Sequence, residues 1–286
     1  MKGSTMKFCK MLSYDLKTGI GQKILIYLLS IVMCFAFIGN FYAGFMRRSG
    51  EFVGETAPLT ITNLLFYLFQ GKEPFSPELG NAFVFPVVWL LIFLLSAYIT
   101  LGYPFENLNE QGTQVLTRIQ KRKIWWLSKC AWVGCCTILF FALCYLSVVL
   151  FCLVFGIDMS FEYAEYVNAE ILGMQLEHCT RGQVIMLVII LPVITSLTIN
   201  ILQLCMGFFF QRIYCFLFIS VILFTSTYFQ TPIAIGNFAM VKRSIYCIEN
   251  GMSFADGLLV NTVIIATSII FGGIRINRYD ILKRNG

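Results

Sequence analysis

Charge is scarce in this sequence: only 13% of its 286 residues are Asp, Glu, Lys or Arg, against roughly 25% in soluble domains. Histidine is scarcer still, with His178 alone, so centres built on several histidines are excluded. A lone histidine between apolar runs reads as a solvated loop residue before it reads as a catalyst. No cysteine pair has CxxC spacing, although there are 11 cysteines. Neither a GxxxxGK[ST] phosphate loop nor a GxSxG elbow occurs; Gly19 to Lys23 reads Gly-Ile-Gly-Gln-Lys, with the wrong spacing and no Ser or Thr after it. The chain therefore reads as a non-enzyme that binds no nucleotide, metal or cofactor of its own.

Apolar residues are abundant, at 58% with a mean hydropathy of +0.78. The charges are spaced so that six uncharged windows appear: Ile24 to Met46, Leu79 to Phe105, Cys130 to Ile157, Gly182 to Gln211, Ile213 to Val241 and Gly257 to Ile274. Each reaches the roughly 18 to 20 residues a helix needs to cross a hydrocarbon core. The expected architecture is a single all-α membrane domain, 1–286, with spans at about 24–46, 82–104, 128–156, 183–210, 213–230 and 257–275. The first window exceeds a signal-peptide core of roughly 7 to 15 residues, which favours a retained anchor. A shorter gap, Thr56 to Gly71, reads as an interfacial or re-entrant helix in an outer loop, 47–81, whose role stays open.

With the N-terminus inside, 15 of the 21 basic residues fall in cytoplasmic segments and 11 of the 15 acidic residues fall outside. The lysine and arginine bias predicts cytoplasmic termini in a plasma membrane, so the net charge of +6 records orientation and is no nucleic-acid footprint. Outer acids from Asp158 to Glu177 either steer a cationic peptide or merely complement that bias. Cys179 and Cys247 fall in outer loops, and whether they pair stays open. In residues 1–23, Lys7, Lys10, Tyr14 and Lys17 share one helical stripe and Phe8, Met11, Leu12, Leu16 and Ile20 another. That is the pattern of a helix in the inner interface, or else of an ordinary basic flank.

Between the second and third windows, 104–127, Leu108, Gly112, Val115 and Ile119 recur at helical spacing, with Glu106, Glu110, Arg118, Lys121 and Arg122 on wetter faces. Trp125, Trp126 and Trp132 then read as an aromatic belt anchoring the return to the interface. Taken alone, this helix either docks on a protein or rests on lipid.

The run Tyr103-Pro104, Leu108, Gly112, Gln114, Leu116, Arg118, Arg122, Trp125-Trp126 and Ser128-Lys129 resembles the segment between spans two and three of type-2 ABC exporter permeases of Gram-positive bacteria. Phe229, Pro232, Ile235-Gly236-Asn237, Met240 and Arg243-Ser244 resemble that family's outer segment between spans five and six. The resemblance implies a cytoplasmic coupling helix, with Glu106, Leu108, Gly112, Val115 and Arg118 meeting a separate ATPase subunit that binds ATP and Mg. It also implies short outer helices re-entering the membrane over 231–256, carrying Gly236, Asn237 and Arg243, and a second permease, identical or homologous. Export of an amphiphile, peptide or lipid-like, follows from the resemblance, including roles in bacteriocin export, immunity or antimicrobial-peptide resistance.

Two other classes remain. Carriers usually keep ionisable groups in their spans and these windows hold none, although Pro86 and Pro192 could break helices as carriers do. Asn200, Gln203 and Asn261 are the strongest polar groups at depth and read as interhelical hydrogen-bonding residues. A scaffold without transport fits the uncharged windows equally well.

Overall fold

The computed structural model describes residues 2–49, 59–75, 83–104, 122–176 and 179–278. Among these the chain is all-helical, without strands; two isolated bridges join Thr60 to Asp158 and Ser244 to Met252. Helix α1 (Lys2–Gln22) turns at Lys23 into α2 (Ile24–Ser49). The short α3 (Ile61–Phe69) and α4 (Val87–Thr100) follow, then α5 (Arg122–Phe155). The chain continues through α6 (Arg181–Met206), α7 (Arg212–Tyr228) and α8 (Phe254–Arg278).

Four helices, α2, α5, α6 and α8, are long and apolar enough to cross a membrane. Helices α4 and α7 occupy the other two uncharged windows with 14 and 17 residues. At 1.5 Å per residue these extend about 21 and 26 Å, short of a hydrocarbon core of roughly 30 Å. Proline explains where α4 begins: Pro86 sits at its N-cap, where a missing N–H costs no helical hydrogen bond. Its other end falls at Thr100, two residues before Gly102, whose φ of 86° is open to glycine at little cost.

The two stripes expected in the N-terminal helix are present. Lys7, Lys10, Tyr14 and Lys17 are exposed, while Met11, Asp15 and Gly19 are buried and Phe8, Leu12, Leu16 and Ile20 partly so. The buried stripe lies on α5. Helix α3 falls in the gap expected to be interfacial or re-entrant, and eight of its nine residues are buried. Its start is written locally: Asn63 Oδ1 accepts from Thr60 N at 3.2 Å and from Thr60 Oγ1 at 2.8 Å, a capping-box arrangement.

Pro192 shapes α6. A proline ring clashes with the carbonyl four residues earlier and offers that carbonyl no N–H. Here the preceding turn, Met186–Ile190, widens to a π-helix, and Tyr145 Oη donates to the carbonyls of Val188 and Ile189 at 3.0 and 3.2 Å. A bulge of this kind bends the helix path without leaving the acceptors dry.

All four tryptophans are buried. Trp126 and Trp132 fasten helix to helix, because glycines on neighbouring elements make room for their rings. A Cβ on Gly272 would lie 2.1 Å from Trp126 Cζ2, and one on Gly19 2.7 Å from Trp132 Nε1. Gly272→Ala is therefore expected to cost about 1 to 3 kcal/mol through overpacking, read as a lowered melting temperature in detergent. Gly273→Ala, whose Cβ meets nothing nearer than 3.5 Å, should melt like the parent. Equal melting of the two variants would refute this account of the contact.

Candidate functional site

The coupling candidates Glu106, Leu108, Gly112, Val115 and Arg118 lie outside the described residues, but both roots of their segment are described. The first root, Tyr103-Pro104, follows α4, and the second is the start of α5 at Arg122. Tyr103 of the first root and Ser128 and Lys129, six and seven residues past Arg122 along α5, meet over Asp15 of α1. Lys129 Nζ lies 2.7 Å from Asp15 Oδ1, Tyr103 Oη donates to the same oxygen at 3.3 Å, and Ser128 Oγ donates to Oδ2 at 3.2 Å. Both charged side chains are 2% exposed. Tyr103 stacks on Trp132 at 4.6 Å, and Lys129 sits 5.0 Å over the Tyr103 ring and 5.6 Å over Trp125. A buried ion pair holds only with good geometry and further hydrogen bonds, and this one has both.

Two nearby cations close helix ends. Lys23 Nζ donates to the carbonyls of Tyr98, Ile99 and Leu101 at 3.2, 2.8 and 2.8 Å, satisfying the end of α4. Arg122 Nη1 donates to Ile276 O at 3.3 Å and Asn277 O at 3.0 Å, doing the same for α8. Last-turn carbonyls lack helical partners and carry the negative end of the helix dipole, so cations suit them.

The outer motif is also one unit. The guanidinium of Arg243 donates to Lys72 O at 2.8 Å, Thr227 O at 2.7 Å and Phe229 O at 2.7 Å. It donates as well to Ser226 O and to Asn237 Oδ1. Asn237 Nδ2 in turn donates to Phe229 O and Thr231 O at 2.9 and 2.8 Å. Gly236 lets this layer approach, since a Cβ there would lie 2.8 Å from Ser226 Cβ and 2.9 Å from Trp89. Trp89 Nε1 completes the contact, donating to Ala239 O at 3.0 Å. Burial pushes the Arg243 pKa down to about 10, which still leaves it charged at neutral pH. Within 231–256 the backbone forms two 3₁₀ turns, Ile235–Ala239 and Val241–Arg243.

Between these ends lies a polar cluster free of ionisable groups. Ser96 and Ser196 hydroxyls are 2.7 Å apart, and Asn200 Nδ2 donates to Ser96 Oγ at 3.1 Å and Thr137 Oγ1 at 2.9 Å. Gln203 Nε2 donates to Ala97 O at 3.1 Å, and Asn261 Nδ2 to Gly257 O at 2.7 Å. Asn200 and Gln203 thus join α4, α5 and α6, as their depth in the sequence predicts. Their Oδ1 and Oε1 atoms find no protein donor.

Sequence reasoning singled out Trp125, Trp126, Gly236, Asn237 and Arg243 but missed Asp15, Tyr103 and Lys129 as a unit. One signal was available: Asp15, the only acidic residue among the first 50, falls within the apolar stripe of α1. All 11 cysteines are free thiols. Cys179 and Cys247 are half-buried, and burial pushes Cys179 up to about 11, with Cys247 close enough to add to the rise. Among the described residues no cluster of His, Cys, Asp or Glu could hold a metal. Comparison with protein-family models, with curated proteins and with solved structures finds no match.

Proposed function

We propose that this chain is the membrane permease subunit of an ATP-driven exporter of the type-2 ABC kind. It crosses the plasma membrane six times through α2, α4, α5, α6, α7 and α8, with both termini in the cytoplasm, beside a second identical or related permease. ATP and Mg act on separate ATPase subunits, and the cargo is an amphiphile, peptide or lipid-like. The observation that supports this reading is the Asp15 junction, which joins α1, Tyr103 and the first turns of α5, the two helices and the residue that flank 105–121, in one buried contact. A lever transmits motion only from a rigid base, and a buried, multiply bonded pair supplies one.

Leu108 and Val115 recur at helical spacing in the sequence of that segment, so on this reading Leu108→Asp with Val115→Asp would place two unpaired charges against a partner's groove, at a cost of several kcal/mol. Membrane insertion should survive while ATPase co-purification and transport are lost. Retention of both would reduce 105–121 to a helix resting on lipid and remove the main support for a permease.

A carrier of a small polar solute is the second reading, favoured by the unpaired acceptors of Asn200 and Gln203. Transport by the purified chain without nucleotide would select it. A chain that neither transports nor binds an ATPase would be a scaffold.

A further inference from the structure

A groove of about 460 Å³ opens between the start of α5 and the end of α8, with Lys123 and Arg278 as its cationic residues and Trp126, Ile270, Gly273 and Ile274 along its apolar length. We propose that it seats one anionic phospholipid, the phosphate between Lys123 and Arg278 and an acyl chain against Ile270, Ile274 and the Trp126 ring. Its volume falls within the roughly 300 to 1,000 Å³ of small-molecule sites, enough for the headgroup and the first part of a chain. The proposal rests on the membrane reading of α5 and α8 and is independent of transport.

The walls are fixed in advance. Trp126 Nε1 donates to Ile269 O at 2.8 Å, Gly272 lets the ring close on α8, and Arg122 ties the start of α5 to the last carbonyls of α8. Gly273, lacking a side chain, leaves the floor open beside Trp126.

The charges are unspent. Lys123 and Arg278 are exposed, no carboxylate among the described residues lines the groove, and neither cation forms an ion pair with another described residue. Arg122 and Lys129, close by in sequence, are each engaged with partners. Basic pockets between helices at a membrane surface suit anionic headgroups. The apolar wall decides between a lipid and a free phosphate, because Ile270 and Ile274 are 63% and 57% exposed and only a lipid covers them.

The test uses the purified full-length chain in detergent, titrated with phosphatidylglycerol carrying brominated acyl chains and followed by quenching of tryptophan fluorescence. Saturable quenching is expected, weaker with the phosphatidylcholine analogue. Lys123→Ala with Arg278→Ala should weaken phosphatidylglycerol binding roughly thirtyfold, at about one lipid-headgroup interaction per cation. Gly273→Leu, which fills the floor and keeps the charges, should abolish the quenching. Excess inorganic phosphate should not compete. Unchanged affinity in the double variant, equal binding of the two lipids, or full displacement by inorganic phosphate would each overturn the proposal. Lipid binding by a parent chain that co-purifies with no ATPase subunit would count against the permease reading alone.

Discussion

Asp15→Ala is expected to destabilise the protein by roughly 3 to 5 kcal/mol, and Lys129→Ala by a similar amount, because each strands a charge in a site built for two. Both side chains are 2% exposed, so water cannot replace the lost partner. Removing Asp15 also takes the acceptor of Tyr103 and Ser128, whereas removing Lys129 leaves the carboxylate with two neutral donors. Asp15→Leu combined with Lys129→Met removes both charges and refills the space, and should recover most of the loss, since apolar replacements of buried pairs are often neutral. Thermal melting in detergent reads all three variants. If the single variants melt like the parent, the pair is wet and the junction is no rigid base. If the double variant remains as unstable as the singles, shape rather than charge holds α1 to α5.

The four membrane-length helices among the described residues were legible because a membrane-like pattern needs only gaps in charge, and those gaps are visible along the chain. Their exact ends were not. Lys23 and Tyr98 are 75 residues apart, Arg122 and Ile276 154, and a basic residue next to an apolar run reads as a topology signal whether or not it caps a distant helix. Backbone carbonyls give no sequence signature of the cation that will meet them.

The contacts of the tryptophans were hidden for a related reason. Trp125 and Trp126 stand where an apolar run meets basic residues, which is also where belts occur. Their burial depends on partners far along the chain, such as Gly272 and Ile269 for Trp126. A glycine inside a helix signals a close approach without naming what approaches. Asp15 was more readable, since a carboxylate on an apolar stripe requires a partner. Its partner was hidden because Lys129 reads equally well as the flank of a span.

Arg243→Met should cost roughly 3 to 5 kcal/mol, comparable to breaking a buried charged network, but with a different reach from the Asp15 variants. The guanidinium serves four backbone carbonyls, Lys72, Ser226, Thr227 and Phe229, together with Asn237 Oδ1. Three of those carbonyls belong to the end of α7, where the helix leaves them unpaired and its dipole favours a cation. No carboxylate is among its hydrogen-bond partners, so methionine leaves acceptors unsatisfied but no anion behind. The damage should therefore stay local: faster hydrogen exchange over 229–250, with protection across α5 and α6 retained. Lysine is no substitute, because its compact ammonium cannot span carbonyls that converge on a planar fork; Arg243→Lys should recover less than half of the loss. Exchange that quickens equally in α5 would mean that the outer cap holds the whole bundle together, and unchanged exchange over 229–250 would mean that Arg243 is not its centre.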